Sequence, residues 1–360
     1  MHARFALLTP FFQRVARLCD VRALDAAADR IHRKYTKKAA PVLEGMAEHV
    51  AYAVCRMPAT LAAVMQSLSH LKRVLPDFSP TSVLDVGSGP GTAALGAMLS
   101  FPTIREGTGV ERNEDFFPIC ELLFETVPGI GSFRRMRADC ETDAPPTGAF
   151  NLMTMAYAAG ELSEEARKKW IGHAAAQAQV LLLVEPGTPQ GWSCLMGCRE
   201  TILSLGGQLL APCTHPLPCP FTGTDAWCHE SVRLPRSSLH RRLKKGDLGY
   251  EDEKFCYLAA AFANIPKKVP PARIVHAPKH RHGHTYVTLC TYRGKLETTI
   301  ISKKYKELYR AARDAVWGDL LPAMKEDYDA DVSSSEQPNR RSDRQESSED
   351  SCGSSGGKNL

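Results

Sequence analysis

Soft metal ligands are concentrated in one short stretch of the sequence. Residues 211–230 contain three cysteines and two histidines, which are Cys213, Cys219, Cys228, His215 and His229. Proline, glycine and threonine separate them, and no helical or strand-like apolar periodicity accompanies them. A segment of this kind cannot fold by burying its own side chains. Because thiolate and imidazole are common ligands of zinc and iron, the composition predicts a segment shaped by a metal centre.

The remaining cysteines have an ordinary explanation. The chain has 12 cysteines in 360 residues, and in a reducing compartment these are thiols or metal ligands rather than disulfides. Most of those outside the segment stand singly in apolar surroundings or at helical spacing, as buried core residues do. They are Cys19, Cys55, Cys120, Cys140, Cys194 and Cys198.

A glycine-rich stretch, VLDVGSGPGT, forms the second chemical motif. An apolar strand is followed by Gly87, Gly89 and Gly91 and then by a helix that begins near Thr92. Glycines let the backbone approach a ligand closely, and a helix start offers free N–H groups. Thr92 stands where a dinucleotide-binding loop has its third glycine. The D-x-G-x-G-x-G pattern instead resembles motif I of class I S-adenosylmethionine-dependent methyltransferases.

Two carboxylates follow at the spacing of that class. Glu111 ends the second predicted strand, 24 residues after Gly87, where a carboxylate accepts hydrogen bonds from ribose hydroxyls. Asp139 ends the third predicted strand, where these methyltransferases bind the adenine amino group. The predicted S-adenosylmethionine site therefore comprises Asp85, Gly87, Gly89, Gly91, Glu111 and Asp139. The alternative is that the loop persists as a fold element in a protein that no longer binds the cofactor.

The residues of a reaction are less apparent. The fourth predicted strand runs into AYAAGE, where methyltransferases of base amines commonly have Asn/Asp-Pro-Pro-aromatic. No cysteine of the kind that pyrimidine C5 methylation needs follows the fourth or fifth predicted strand. Tyr157 and Glu161 are the polar side chains best placed for an active site. Since methyl transfer depends mainly on alignment, the sequence leaves open whether the chain is an enzyme.

The elements that position these motifs fall into four regions. Residues 1–75 form a helical region, whose first 19 residues have the composition of a mitochondrial presequence or of a first helix. Residues 76–205 alternate strands and helices, which predicts an α/β, Rossmann-like methyltransferase sheet with helices on both faces. Residues 206–325 form a cysteine-rich, basic extension. Residues 326–360 are acidic and rich in serine, and we predict that they are disordered.

Charge is distributed unevenly along the chain. The net charge is +5, but residues 231–313 hold nineteen Lys or Arg and six Asp or Glu. A surplus of this size favours a polyanionic partner. RNA fits better than a membrane because no amphipathic helix with an apolar stripe accompanies the charges, and no run of about 18 apolar residues occurs. We therefore predict an RNA partner, and neither a membrane nor DNA.

The whole chain resembles a known family, the ribosomal small-subunit methyltransferase-like proteins of bacteria and mitochondria. The resemblance runs from about residue 52 to residue 322 through RMPATLAAV, SVLDVGSGPGTA, AYAAGEL, LLLVEPGTPQGW, APCTHPLPCP, GYEDEKFCYLA, HTYVTLC and WGDLLP. It implies an assembly factor that binds the rRNA and proteins of the small ribosomal subunit and supports translation. The implied location is the mitochondrial matrix, or the cytoplasm of a bacterium. The alternative function is an active S-adenosylmethionine-dependent rRNA methyltransferase.

The resemblance also implies a four-iron (4Fe-4S) cluster whose ligands are Cys213, Cys219, Cys228 and the distant Cys290. Pro220 follows Cys219, as a proline often follows a cluster cysteine. Zinc bound by the first three cysteines and a histidine is the alternative, and Cys256 is an alternative fourth ligand. We expect the centre to fasten an RNA-facing segment to the sheet. The cations of that segment are Arg233, Arg236, Arg241, Arg242, Lys244 and Lys245.

Overall fold

A computed structural model describes residues 5–36, 43–268 and 272–321. The first helices are α1 (Thr9–Val15), α2 (Val21–Thr36), α3 (Gly45–Cys55) and α4 (Met57–Val74). An alternating segment follows, with β1 (Ser82–Val86), α5 (Thr92–Ser100), β2 (Glu106–Glu111), α6 (Phe117–Thr126), β3 (Ser132–Arg137), β4 (Phe150–Ala156), α7 (Glu164–Gln177), β5 (Ala178–Pro186), α8 (Pro189–Ser204) and β6 (Gln208–Ala211). The last elements are β7 (Glu230–Pro235), α9 (Ser238–Lys244), β8 (Tyr250–Ala261), β9 (Ala272–Ile274), β10 (Lys279–Arg281), β11 (His284–Thr291), β12 (Leu296–Ser302), α10 (Lys306–Asp314) and β13 (Leu320–Leu321).

Helix α4 follows the sequence pattern closely. Pro58 lies in its first turn, and its apolar stripe, which includes Leu61, Leu68 and Leu71, is fully buried. A proline is tolerated there because the first N–H groups of a helix have no partner within the helix. The helix ends just before Pro76. The predicted helical region therefore contains the helix that the periodicity indicated.

The main sheet has the strand order β3-β2-β1-β4-β5-β8-β6, and β7 pairs with the first half of β8. Strands β1 to β5 are parallel, whereas β8 is antiparallel to both β5 and β6. This is the strand order of class I methyltransferases, so the predicted fold class is confirmed. Three of its strands, β6, β7 and β8, come after residue 205, so residues 76–205 do not contain the whole sheet.

Helices cover the main sheet on both faces. Val83 of β1 packs into a core with α4 and α5, while Leu84 and Val86 pack into a second core with α7 and α8. Side chains alternate between the faces of a strand, and burial on both sides explains why apolar residues occur at neighbouring positions of β1. The glycine loop therefore starts from a strand whose last four residues are buried.

A second sheet has the order β10-β11-β9-β13, with β12 along the other side of β11. Helix α10 covers one face of it, where Ala312 is buried with Val287, Leu289 and Ile301. The sequence pattern had indicated only the HTYVTLCTY strand and a final helix in this region. The other strands are too short, or too exposed, to leave an alternating apolar pattern.

No helix within the described ranges has the length and apolarity that crossing a membrane requires.

Helix α1 buries Phe11 and Val15 against the core, so a helix does form within residues 1–19. The prediction of a presequence stays a prediction. The described residues group into one compact unit, and the predicted boundaries inside it stay predictions as well. The predicted tail, residues 326–360, lies outside the described residues.

Candidate functional site

The glycine loop turns at the carboxyl end of β1 through three positive φ angles. These are +65° at Gly87, +51° at Gly89 and +84° at Gly91, a region that favours glycine. A Cβ atom at Gly87 would lie 2.7 Å from the Cβ of Ala158, and one at Gly91 would lie 2.7 Å from the ring of Phe124. Both positions therefore require glycine for conformation and for space.

Asp85 joins this loop to the helix that follows it. Its Oδ2 accepts a hydrogen bond from the N–H of Ala94 at 3.0 Å, and its Oδ1 accepts one from the Thr154 hydroxyl at 2.9 Å. Burial raises the pKa of the Asp85 carboxyl to about 7, while these two hydrogen bonds oppose the rise. Asp85 thus organises the loop and the start of α5.

Glu111 and Asp139 lie at the same edge of the sheet as the loop. Glu111 Oε2 accepts a hydrogen bond from the N–H of Gly89 at 2.9 Å, and Oε1 accepts one from the N–H of Asn113 at 2.8 Å. A carboxylate oxygen can accept two hydrogen bonds, so both keep capacity for a ligand hydroxyl. The backbone N–H of Glu141 donates to Asp139 at 2.9 Å and lowers the pKa of that carboxyl.

These groups border one open cavity of about 1860 Å³. Five of the six predicted cofactor residues line it, namely Asp85, Gly87, Gly89, Glu111 and Asp139. Gly91 shapes the loop without lining the cavity. Helices α2, α3 and α9 contribute the far wall through residues such as Ala28, Tyr52 and Leu243. Because small-ligand pockets typically measure about 300–1,000 Å³, the cavity is large enough for a cofactor and part of a second molecule.

Three further polar side chains of this cavity follow β4 or end β5. Tyr157 has a positive φ of +56° and donates a hydrogen bond to Glu253 Oε1 at 2.8 Å, and Glu161 lies four residues later. Sequence reasoning missed Glu185, which is 3% exposed and whose Oε1 has no hydrogen-bond partner in the described structure. Burial raises the pKa of Glu185 to about 8. Its place after the apolar run VLLLV could have identified it, since α/β folds bind ligands at the carboxyl ends of parallel strands.

The four predicted metal-binding cysteines border a second cavity, of about 40 Å³. Strand β11 brings Cys290 to the segment that holds Cys213, Cys219 and Cys228, and Cys290 Sγ lies 3.5 Å from His215 Nε2. Burial raises the pKa of all four thiols, that of Cys290 to about 12. The structure thus gathers the residues that were far apart in the sequence.

Two buried arginines hold the backbone of this segment. Arg199 donates to the carbonyl oxygens of Leu217 at 2.6 Å and His215 at 3.2 Å, and Arg273 donates to the Pro212 carbonyl at 2.6 Å. Arg199 Nε and Arg273 Nη2 have no hydrogen-bond partner in the part of the chain that the structure describes. Both arginines border the cysteine cavity. Buried cations beside thiols favour negative charge at that place.

A single metal ion has no ready site in this cavity. Within residues 5–36, 43–268 and 272–321, no three His, Cys, Asp or Glu side chains are placed to hold one ion. A four-iron cluster distributes its four thiolates over four irons, so it needs no such close group. Cys256 also lines the cavity, but its Sγ donates to the carbonyl oxygen of Cys228 at 3.2 Å and the residue is buried in β8. The prediction of a cluster stays a prediction.

Most of the cations predicted to face RNA are engaged in ion pairs. The pairs are Arg233 with Asp252, Arg236 and Lys244 with Glu251, Arg242 with Asp25, and Lys245 with Asp29, at 2.7 to 3.4 Å. Five of the six predicted cations therefore connect β7, α9 and the residues next to them with β8 and α2. Their charges are largely compensated within the chain, which a count of charges along the sequence could not show.

The family described as mitochondrial small ribosomal subunit Rsm22 matches residues 46–322. The chain belongs to the Rsm22 family. This confirms the resemblance that the ordered sequence motifs indicated. The Rsm22 match includes both the glycine loop and the cysteine segment, so the two candidate sites belong to one family domain.

Curated Rsm22-type relatives are mitochondrial proteins. "Ribosome assembly protein METTL17, mitochondrial" of Homo sapiens is 26% identical over 301 residues, which cover 76% of this chain and 62% of the human protein. "Rsm22-cox11 tandem protein 2, mitochondrial" of Schizosaccharomyces pombe is 26% identical over 325 residues, covering 76% of this chain and 43% of the yeast protein. The chain thus spans less than two thirds of the length of either relative. The predicted mitochondrial location agrees with both.

Solved structures with related folds include precorrin-6y C5,15-methyltransferase of Geobacter metallireducens, with a TM-score of 0.38 and 12% sequence identity. The match covers 55% of this chain and 87% of that protein. The assignment of the fold rests on the strand order of the main sheet.

Proposed function

We propose that this chain is an assembly factor of the mitochondrial small ribosomal subunit, that it contacts the rRNA and proteins of that subunit, and that it supports translation. The observation that carries the proposal is the Rsm22 family match over residues 46–322. The name of the human relative describes a ribosome assembly protein, which points the same way. The excess of cations in residues 231–313 supports contact with RNA.

S-adenosylmethionine is the proposed occupant of the large cavity. The positive-φ glycines Gly87 and Gly89 line the cavity and carry no Cβ, so a cofactor can approach the loop backbone closely. Glu111 would accept hydrogen bonds from the ribose hydroxyls, and Asp139 one from the adenine amino group. When bound, the cofactor supplies an electrophilic methyl group. The residues of this chain would orient it and exclude water.

A four-iron cluster is the proposed occupant of the cysteine cavity, with Cys213, Cys219, Cys228 and Cys290 as ligands. A cluster held by four thiolates is anionic, and the two buried arginines that border the cavity would compensate part of its charge. The segment buries little apolar surface of its own, so the centre would contribute folding free energy. Loss of the cluster is expected to disorder the segment and to loosen its contact with β11.

An active rRNA methyltransferase is the second candidate, and Glu185 is the observation that favours it. Methyl transfer to a nitrogen or oxygen releases a proton. Glu185 lines the cofactor cavity, has an unpartnered Oε1 and has a pKa raised by burial to about 8, near the range in which a general base works best. Tyr157 and Glu161 line the same part of the cavity.

One set of variants separates these two functions. Asp85→Asn and Glu111→Ala should weaken S-adenosylmethionine binding, as measured by calorimetry on the full chain. Each variant is then tested for small-subunit assembly and for rRNA methylation in cells that depend on it. Assembly that persists while no methyl mark is lost supports the assembly factor. Assembly that fails together with loss of a specific methyl mark supports the enzyme, and rRNA binding that is absent at low salt contradicts both.

A further inference from the structure

The second sheet presents one covered face and one open face. Val287 and Leu289 of β11 pack under α10, whereas His284, Tyr286 and Thr288 alternate with them and point to the other side. The three outward side chains are only half-buried. Among the described helices, only α10 makes extensive contact with β11 and β12, and it lies on the covered face.

The strand register places cations beside the outward aromatic residues. Tyr286 is directly opposite Lys279 of β10 and Ile300 of β12, and His284 is directly opposite Arg281. Residues that pair directly in neighbouring strands project from the same face. Lys279 and Arg281 are exposed, and within the described ranges neither forms an ion pair. We call the surface formed by Lys279, Arg281, His284, Tyr286 and Ile300 the β11 face.

The composition of the β11 face distinguishes it from an ordinary solvated sheet. The His284 and Tyr286 rings are in edge-to-face contact, with centroids 5.2 Å apart, which holds the tyrosine ring in place. Ile300 beside it is 52% exposed and offers a further apolar contact. The outward positions of β10, β11 and β12 include no acidic residue; Glu297 pairs with Leu289, on the covered face. The face therefore combines a fixed aromatic ring with uncompensated positive charge.

The cysteine segment limits the length of this face. Cys290 lies at the other end of the outward row of β11, where its Sγ is 3.5 Å from His215, and Leu217 packs beside Gly294. The open part runs from His284 to Thr288, about 13 Å at the rise of a β-strand. That length suits a short run of extended nucleotides rather than a long duplex.

We propose that the β11 face binds a short single-stranded segment of RNA, with a base stacked on Tyr286 and neighbouring phosphates held by Lys279 and Arg281. This rests on the proposed contact with rRNA and specifies where and in what form the RNA is bound. Sheet faces that carry aromatic side chains bind unstacked bases, and flanking cations follow the phosphate backbone. A duplex keeps its bases stacked on each other, so the tyrosine ring would have no base to contact.

Binding of a fluorescein-labelled single-stranded oligouridine to the full chain, measured by anisotropy over a salt series, tests the proposal. Tyr286→Ala should weaken binding about tenfold, whereas Tyr286→Phe should stay within about twofold because it keeps the ring. Lys279→Gln and Arg281→Gln should each lower the slope of log affinity against log salt by about 0.7. Tyr250→Ala removes an exposed tyrosine of β8, and Lys168→Gln removes an ion-paired cation of α7; both should leave the affinity unchanged.

Several results would overturn the proposal. If the wild-type chain binds small-subunit rRNA but Tyr286→Ala binds oligouridine as tightly as the wild type does, the β11 face is not the site, while the proposed function stands. Equal losses for Tyr286→Ala and Tyr286→Phe would exclude stacking, and a preference for duplex over single strand would exclude the proposed mode. If the wild-type chain binds no rRNA, the proposed function itself fails. Circular dichroism and thermal unfolding that match the wild type show that each variant is folded.

Discussion

Glu185 gives a quantitative test of the electrostatics of the cofactor cavity. Its carboxyl lies at the end of β5, and burial raises its pKa from 4.5 to about 8, with Cys194 and Glu161 adding to the rise. Between these two values the folded protein keeps a proton that the unfolded chain releases. The free energy of unfolding therefore falls as the pH rises through this window. Below about pH 4.5 the penalty is absent, and above about pH 8 it is complete.

The size of the effect follows from the pKa values. A rise from 4.5 to about 8 corresponds to a penalty of about 5 kcal/mol at full ionisation, since one pKa unit is about 1.4 kcal/mol. Glu185→Gln has nearly the same shape and can still accept hydrogen bonds from the N–H groups of Ala159 and Gly160, but it cannot ionise. The difference in unfolding free energy between the variant and the wild type should grow by about 3 kcal/mol as the pH rises from about 5.5 to about 8.5.

Equilibrium unfolding in guanidinium chloride at several pH values measures this difference. Glu200→Gln is the matched control, since Glu200 is an exposed carboxylate on α8. We expect the difference in unfolding free energy between Glu185→Gln and the wild type to grow steadily with pH, and Glu200→Gln to follow the wild type. A difference that stays constant from about pH 5.5 to pH 8.5 would refute the reasoning, because the carboxyl would then titrate alike in both states.

The other predictions concern the cysteine segment and the glycine loop. Cys290→Ser should lower the iron content and thermal stability of anaerobically purified protein, whereas Cys55→Ser should leave the iron content unchanged. A colourless wild-type protein with one zinc per chain would contradict the proposal of a cluster. Gly91→Ala should destabilise the fold by about 1–3 kcal/mol in denaturant titrations. Gly223→Ala should cost less, because Gly223 has a positive φ but open space around it. Equal losses of stability in the two variants would contradict the steric argument. Arg199→Met removes a donor to two backbone carbonyls of the cysteine segment, so it should lower iron content and speed limited proteolysis of that segment. An unchanged rate of cleavage would show that other contacts hold the cysteine segment.

The cofactor residues could be predicted because their signals are local. A buried strand, a glycine turn and a helix start follow one another within about a dozen residues, and the alternation of strands and helices then places Glu111 and Asp139 at the same edge of the sheet. Glu185 obeys the same rule but follows a strand for which no motif was available.

The ion pairs and the pairing of the later strands could not be predicted because their partners are distant. The charge of residues 231–245 suggested an RNA-facing surface, but Asp25 and Asp29 on α2 neutralise two of those cations from more than 200 residues away. Strand β8 follows β7 and α9 in the sequence, and its insertion between β5 and β6 completes the main sheet. Pairing at such sequence separation leaves no periodic trace in the sequence.

The two cavities share elements that separate motifs do not reveal. Glu185 of the cofactor cavity and Cys256 of the cysteine cavity are directly paired across β5 and β8. Helix α8 lines the first cavity through Cys194 and the second through Arg199, about one helical turn apart. Disorder of the cysteine segment therefore reaches the wall of the cofactor cavity through one helix and one strand. For this reason, weaker cofactor binding in a cysteine variant would not by itself place that cysteine in the cofactor site; iron content and cofactor affinity have to be measured on the same sample.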